Sequence, residues 1–312
     1  MVAQKELNLN QPLDANVDPK LRRIPLDPSL ATLALTLHGD YYSQLQGKCN
    51  KRIVWDPLVQ LTLLSIFVAF NAYMFHNFYD ISDSVGEFFQ LVWRNKVVLT
   101  NYFPVLIVVG TVVGVTTFYI SDEFRTMSDS LASDSYMANM FQFPLRIYAN
   151  ASEDDLKTPL VENSSKTTDL IEYRNSPIAV VTVVPDTERS TEQTFYAKIT
   201  GLHVRKSYAN AGLEFELLQF AKEKAIQLCQ TYAKDKKLNV EDLRVVLTAE
   251  GYSVDPVLPQ LYLQSGFKVL GSSYVLDPYK KGDSSEMMFK VIPMSRVYKL
   301  FSIQRLLYEL EL

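Results

Sequence analysis

Two long apolar runs without a charged residue constrain this chain more than any other feature. Pro57 to Phe78 and Val97 to Ile120 contain no Asp, Glu, Lys or Arg. Each run exceeds the ~20 residues that a helix needs to cross the hydrocarbon core of a bilayer. Two buried helices of a soluble domain are the alternative, but charge-free runs of this length are uncommon there. The sequence therefore predicts a transmembrane hairpin over residues 51–120, with spans at about 57–78 and 97–120.

Basic residues around the two spans indicate how the hairpin is oriented. They are more frequent outside the hairpin (Lys48, Lys51, Arg52, Arg125) than in its connecting loop (Arg94, Lys96). Because basic residues favour the cytosolic side, both chain ends are expected in the cytosol. Glycosylation sequons at Asn150 and Asn163 would be modified only in the lumen, so they provide a test of this topology.

Composition narrows the classes of partner and site. With 312 residues and 47% hydrophobic content, the chain can fold a domain beside the hairpin. A net charge of −4 without a long basic block argues against nucleic acid as the main partner. Cys49 and Cys229 are far apart in different kinds of segment, so neither a disulfide framework nor a metal site is expected. Residues 1–20 are polar and are expected to form a loose tail without a signal peptide.

Strand and helix patterns flank the hairpin. We expect a strand at about Leu21 to Ile24, then a helix that Asp27 caps and Gly47 ends. After the second span, a helix is expected to begin at Ser121 or Asp122.

From Phe143 onward the pattern predicts mainly short strands. "FPLRIYA" has a strand-like composition, and Arg174-Asn175-Ser176 joins two apolar runs as a hairpin turn. "FKVLGSSYVLD" and "EMMFKVIPM" are expected to form a closing antiparallel pair, followed by a helix from Arg296 to Leu312.

The segment from Ile199 to Ala225 has the pattern of a strand, a tight loop and a helix. Leu213, Leu217 and Leu218 recur at helical spacing. The exposed amides of a helix N-terminus bind diphosphate groups, and glycine permits close approach of the backbone. A candidate cofactor cradle therefore consists of five positions at this N-terminus: Ala209, Ala211, Gly212, Leu213 and Glu214.

The loop and the segments after it resemble the GCN5-related N-acetyltransferases. The resemblance rests on "ITGLHVRKSY", on Gly212-Leu213, on Tyr262 followed by Gly266-Phe267, and on the late "MMFK"; it covers about residues 143 to 294. It implies a mixed α/β sheet split by the hairpin, which would lie between the first two helices of the domain. Residues 21–50 and 121–312 would form this cytosolic domain. The resemblance also implies acetyl-CoA as cofactor, with Tyr262 as the acid.

Departures from that family pattern argue against catalysis. Glu214 would place a carboxylate at the mouth of a diphosphate site, where like charges repel by about 1 kcal/mol at ~4 Å in water; alternatively, its side chain points outward. His203 is the candidate base on the preceding strand, although a lone strand histidine is more often structural. We therefore interpret the domain as a pseudo-enzyme without a cofactor. The alternative is a membrane-bound, acetyl-CoA-dependent N-acetyltransferase acting on the cytosolic face.

The overall layout resembles a family of fungal accessory proteins of phosphate metabolism in the endoplasmic reticulum. This resemblance implies a resident membrane chaperone that a polytopic, high-affinity inorganic phosphate transporter needs in order to leave that compartment. Vesicle coat components are further candidate partners.

Polar and small residues in the spans are candidates for contact with such a client. Asn71 lies near the middle of the first span, and Gly110 and Gly114 form a small-residue face on the second. Small residues let helices approach closely, and a buried amide can bond across them. Packing of the two spans against each other would use the same residues, so both interpretations stay open.

Overall fold

The computed structural model describes residues 20–95, 100, 102–150, 166–209, 211–280, 287–288 and 292–312. The predicted tail, the sequon at Asn163 and the start of the second predicted span lie outside these residues. The helices are α1 Ala31–Val54, α2 Pro57–Ile81, α3 Val85–Arg94, α4 Tyr102–Ser130, α5 Asp134–Phe141, α6 Leu145–Ala149, α7 Leu213–Lys236, α8 Val257–Gln264 and α9 Met294–Leu300. The strands are β1 Leu21–Pro25, β2 Thr168–Tyr173, β3 Ser176–Pro185, β4 Thr194–Val204, β5 Arg244–Tyr252, β6 Lys268–Ser273, β7 Met287–Met288, β8 Ile292–Pro293 and β9 Arg305–Glu311.

Seven strands form one mixed sheet in the order β1-β2-β3-β4-β5-β9-β6. Neighbours are antiparallel except β4 and β5, which run parallel. Arg174 and Asn175 both have positive φ, at 50° and 58°, as a tight β2–β3 turn requires. The predicted hairpin turn and the predicted mixed α/β sheet are confirmed.

The sheet separates two hydrophobic cores. Alternate residues of a strand point to opposite faces, so Leu170 and Val180 face one core while Ile171 and Val181 face the other. The first core is completed by α1, α4, α5 and α6, and the second by α7 and α8. The helices that flank the hairpin therefore belong to the same folded domain as the sheet.

The hairpin is inserted between α1 and the C-terminal part of α4, as predicted. Both α2 and α4 are long and apolar enough to cross a membrane, and the most apolar stretch of α2 is wholly unburied. Asp56 caps α2 by accepting a hydrogen bond from the Leu58 amide at 2.9 Å, and Pro57 fits the first turn. The predicted span at 57–78 lies within an exposed helix, which extends three residues further.

Two expected helix ends are wrong. Gly47 lies inside α1, which continues to Val54. The helix expected to begin at Ser121 is the continuation of α4, because buried Ser121 bonds back to the Phe118 carbonyl at 3.2 Å. One unbroken helix thus connects the membrane segment to the domain core, where Phe124 is fully buried.

Three further expectations are corrected. Leu145–Ala149 is a helical turn that starts after Pro144 and not a strand. The partner of β6 is β9, whereas Met287–Met288 pairs only with Ile292–Pro293. The C-terminal helix is limited to Met294–Leu300, since Arg305–Glu311 forms an inner strand of the sheet.

Candidate functional site

A cleft opens where β4 and β5 separate. The two strands pair from Thr194 with Arg244 up to Ile199 with Ala249. Beyond that point β4 pairs only with β3, and β5 pairs only with β9. The strands therefore diverge beyond Ile199 and Ala249 and leave a wedge-shaped gap, which is the candidate ligand site in this topology.

Aromatic side chains fill the wedge. Tyr41 and Tyr42 enter it from α1, and Tyr252 and Tyr262 line it from β5 and α8. The remaining cavity is about 20 Å³, close to the size of one water molecule. Small-molecule and cofactor sites usually occupy about 300–1,000 Å³. The described residues therefore leave no room in this cleft for an acyl arm.

Gly201 on β4 allows α1 to pack close against the sheet. A Cβ at this position would lie 2.3 Å from the His38 ring and 2.8 Å from the Met140 methyl. His38 is fixed in turn, because its Nε2 lies 3.0 Å from the Thr182 hydroxyl. The missing side chain therefore sets the distance between α1 and the sheet.

The predicted cradle residues lie on the loop after β4. Ala209, Ala211 and Gly212 are exposed, while Leu213 is buried in the second core. The Ala211 amide donates to the Tyr208 carbonyl at 2.9 Å, so the loop uses this donor itself. Gly212 has φ 75° and precedes α7 without a capping side chain. None of the four lines the cavity between β4 and β5.

Glu214 belongs to a small charge cluster beside this loop. Asp255 is buried and accepts a hydrogen bond from Lys48 at 2.9 Å and from the Val257 amide at 3.1 Å. Partial burial raises the pKa of Glu214, and nearby Asp255 raises it further, while Lys48 acts in the opposite sense. Two carboxylates face one ammonium here, so the cluster disfavours an incoming diphosphate.

The candidate acid and base are both buried. Burial raises the pKa of Tyr262, as does the charge of Asp255, so the phenol is a poorer proton donor than usual. Burial, followed by the charge of Lys48, lowers the pKa of His203 to about 3. His203 Nε2 lies 3.3 Å from the Gln44 amide nitrogen, and its ring packs on Tyr41. A histidine this hard to protonate is a weak general base.

Sequence reasoning missed Glu250, a carboxylate that lines the cleft. Its Oε1 lies 2.7 Å from Lys198 Nζ and its Oε2 lies 3.2 Å from Arg305 Nη1. The available signal is a glutamate near the end of β5, the strand after the one on which a base is expected. Because two cations hold it, Glu250 is not free to accept a proton from a substrate.

The amide of Asn71 is used within the hairpin. Its Nδ2 donates to the Phe67 carbonyl at 2.7 Å, and its Oδ1 accepts a hydrogen bond from the Tyr102 hydroxyl. The rings of Phe70 and Tyr102 meet edge to face, 5.2 Å apart. Asn71 therefore joins α2 to the start of α4.

Gly110 and Gly114 lie on the outer surface of α4. Both are exposed, and no described residue comes within 4 Å of a Cβ built at either position. At about 100° per residue, they lie about 100° around α4 from Val109 and Val113, which line the groove between α4 and α2. The two glycines do not mediate the packing of the spans on each other.

A comparison with protein families covers nearly the whole chain. The model of the family "Inorganic phosphate transporter chaperone Pho86" matches residues 3–312. The chain belongs to this family. Membership in this family indicates that the protein is a chaperone of an inorganic phosphate transporter. The predicted link to phosphate metabolism is therefore confirmed. No curated protein matches the chain at a significant level.

Solved structures similar to this Pho86-family chain are acetyltransferases. A GNAT-family acetyltransferase from Streptococcus pneumoniae is 17% identical, with coverage of 52% of this chain and 77% of that one and a TM-score of 0.31. Arabidopsis thaliana Naa50 in complex with a bisubstrate analogue is 10% identical, with coverage of 58% and 95% and a TM-score of 0.32. A Bacillus anthracis protein described as a streptothricin acetyltransferase is 15% identical, with coverage of 46% and 62% and a TM-score of 0.29. The chain thus spans less than two thirds of that last relative.

The Pho86-family chain also has an apolar groove between its two candidate spans. The groove has a volume of about 470 Å³. Its lining residues come from α2 (Leu58, Val59, Thr62, Leu63, Ile66), from α4 (Val108, Val109, Val112, Val113) and from the end of α9 (Leu300, Phe301). The hydroxyl of Thr62 donates to the Leu58 carbonyl of its own helix at 2.8 Å, so it offers no donor to a ligand.

Proposed function

We propose that this protein is a non-catalytic membrane chaperone that the phosphate transporter requires to leave the endoplasmic reticulum. In this proposal the hairpin crosses the membrane, both chain ends are cytosolic, and vesicle coat components contact the cytosolic domain. The transporter docks on the outer face of α4, at Gly110 and Gly114. The observation that carries this choice is the open space around both glycines on an exposed apolar helix.

Close approach of a second helix is the physical reason for this choice of surface. Association of helices in lipid depends on packing, because lipid tails are as apolar as the side chains they replace. Glycines four residues apart let the backbones of two helices come near each other. Asn71 is not part of the proposed surface, since both its polar atoms are bonded within the hairpin.

Enlarging the two glycines tests the docking surface. Gly110→Leu with Gly114→Leu keeps the span apolar and blocks close approach. We expect the variant to be present at normal abundance. The transporter should no longer co-purify with it in mild detergent, and the tagged transporter should be retained in the endoplasmic reticulum. Val115→Leu, exposed on the same helix, is the matched control and should leave both readouts unchanged.

Different failures of this experiment have different meanings. Normal binding and export in the double variant would move the docking surface elsewhere on the protein. If transporter export stays normal when the whole protein is absent, the chaperone role itself is wrong.

Absence of catalysis rests on the filled cleft. An acyl-CoA arm does not fit a cavity of about 20 Å³, and the candidate base, His203, has a pKa of about 3. The alternative function, acetyl transfer, requires that the full-length protein in detergent bind acetyl-CoA. We expect no binding heat by calorimetry. A micromolar dissociation constant that Gly212→Asp abolishes would restore the enzyme interpretation.

A further inference from the structure

The helix α3, in the loop between the candidate spans, is specified by its own sequence. The Ser84 hydroxyl accepts a hydrogen bond from the Glu87 amide at 3.2 Å. The Glu87 carboxylate accepts one from the Asp83 amide at 3.1 Å. This arrangement resembles a capping box, except that Glu87 bonds to the amide one residue before the N-cap Ser84; two side chains still satisfy free amides at the helix start. The loop therefore contains a defined helix, with a defined arrangement of side chains on its faces.

One face of α3 carries large apolar side chains that are mostly exposed, although the ring of Phe89 meets that of its neighbour Phe88 edge to face at 5.4 Å. Val85, Phe89 and Trp93 recur every four residues and so form one stripe. Their exposed fractions are 75%, 65% and 79%. The opposite side of α3 carries the exposed polar residues Glu87, Gln90 and Arg94. A short helix with such opposed faces is typical of a segment that lies in the surface of a membrane.

A ring contact fixes the level of α3 along α2. Phe88 of α3 meets Phe75 of α2 edge to face, with ring centroids 5.8 Å apart. At about 1.5 Å per residue, Phe75 lies about 27 Å along α2 from Pro57. The hydrocarbon core of a bilayer is about 30 Å thick. With Pro57 at one boundary of that core, Phe75 and α3 lie close to the other.

A pair of an imidazole and a carboxylate lies at the same level of α2. His76 Nδ1 lies 3.2 Å from Asp80 Oδ2, one turn beyond Phe75. The two tryptophans of the chain also mark both ends of the hairpin: Trp55 precedes α2 and is 70% exposed, and Trp93 is on α3. Tryptophan is enriched at both membrane–water interfaces because its ring is apolar and its N–H is polar.

We propose that α3 lies in the bilayer interface on the side of the membrane opposite the sheet, with the stripe of Val85, Phe89 and Trp93 inserted at the headgroup–acyl boundary. The occupant of this face is lipid, because the stripe continues the exposed apolar surface of the adjoining spans. A stretch of the connecting loop is then anchored on the membrane and is not free in the aqueous lumen. This inference rests on the hairpin crossing a membrane and is independent of the client.

Fluorescence of Trp93 tests the proposal in a bilayer without any partner protein. The full chain carrying Trp55→Phe is reconstituted in phosphatidylcholine nanodiscs, which leaves Trp93 as the single tryptophan, excited selectively over tyrosine. We expect an emission maximum blue-shifted from that of tryptophan in water and weak quenching by iodide. Lipids brominated near the headgroup end of the acyl chain should quench more strongly than lipids brominated near the terminal methyl.

Two substitutions in α3 provide a matched pair. Phe89→Asp places a charge in the stripe and should shift Trp93 emission to the red and increase iodide quenching. Gln90→Asp places the same charge on the polar face and should leave both readouts unchanged. Water-like emission from Trp93 in the nanodisc would overturn the proposal, and shielding that appears only with the transporter present would assign the stripe to the client. Strongest quenching by deeply brominated lipid would also overturn it, since α3 would then be inside the core.

Discussion

The imidazole of His38 occupies the space where a side chain at Gly201 would be. A Cβ built on Gly201 lies 2.3 Å from the ring, well inside van der Waals contact. His38 is on the helix that leads into the membrane hairpin, and Gly201 is on the strand where the cleft opens. This one contact therefore joins the membrane-connected part of the domain to its sheet.

Gly201→Ala should destabilise the domain. The added methyl must displace the His38 ring and the Met140 side chain, and overpacking of this kind typically costs about 1–3 kcal/mol. We expect a lower midpoint in thermal unfolding of the purified protein in detergent. Gly47→Ala is the matched control: it lies exposed within α1 with open space around it, so it should stabilise the helix by up to about 1 kcal/mol. Equal effects of the two substitutions would contradict the packing argument.

Acid should destabilise the protein through its buried histidines. Burial lowers the pKa of both His38 and His203 to about 3, whereas the unfolded side chains titrate near 6.5. Below pH 6.5 the unfolded state therefore binds protons that the folded state does not, and the free energy of unfolding falls as pH falls. Between pH 7.5 and pH 5 the loss is about 2 kcal/mol for each histidine.

The variant His203→Gln isolates one of these contributions. Because glutamine does not titrate, the unfolding midpoint of the variant should fall less between pH 7.5 and pH 5 than that of the wild-type protein. Groups that titrate in the opposite sense, such as Glu214, cancel in this comparison because both proteins contain them. The same fall in both proteins would show that His203 does not titrate on unfolding.

Local signals in the sequence predicted much of the fold. Arg174 and Asn175 form the expected turn, and Asp56 with Pro57 starts the span where the apolar run begins. These features depend on residues adjacent in the chain, so one sequence suffices to recognise them.

Features that depend on distant partners were missed. Leu306, Tyr308 and Leu310 alternate with other residues at strand spacing, and the structure places them in β9 and not in the predicted helix. The alternation indicates a strand, but its place between β5 and β6 depends on pairing with strands from earlier in the chain. The loop at Gly212 was placed correctly, but the filling of the cleft by Tyr41 depends on the approach of α1 from far earlier in the chain.

The bond between Asn71 and Tyr102 should stabilise the hairpin. Asn71→Leu and Tyr102→Phe each remove it, at a cost on the order of 1 kcal/mol for an interhelical hydrogen bond in a membrane. The double variant should be no less stable than the less stable of the two single variants, because all three variants lose the same hydrogen bond. Unfolding in detergent measures all four proteins. Additive losses would mean that the two residues act independently, and a loss of transporter export at normal stability would assign Asn71 to the client.

Topology gives a further prediction. If both chain ends are cytosolic, Asn150, which is exposed at the end of α6, should remain unglycosylated in its native membrane. A glycosylation tag inserted after Ser82 should be modified, since that loop faces the lumen. If endoglycosidase treatment changes the gel mobility of the wild-type protein, and if Asn150→Gln with Asn163→Gln abolishes that change, the orientation is the reverse of the one proposed.

The position of β9 has a consequence for the order of assembly. This strand lies between β5 and β6, yet it is synthesised after the other six strands of the sheet. The hairpin, encoded between β1 and β2, leaves the ribosome much earlier, and chains emerge at about 5–20 residues per second. If the hairpin inserts into the membrane as it emerges, insertion precedes closure of the sheet, and the nascent chain stays tethered at the bilayer with the β9-facing edges of β5 and β6 unpaired until Arg305–Glu311 arrives. During that interval the domain is a membrane-tethered intermediate that lacks one of its seven strands.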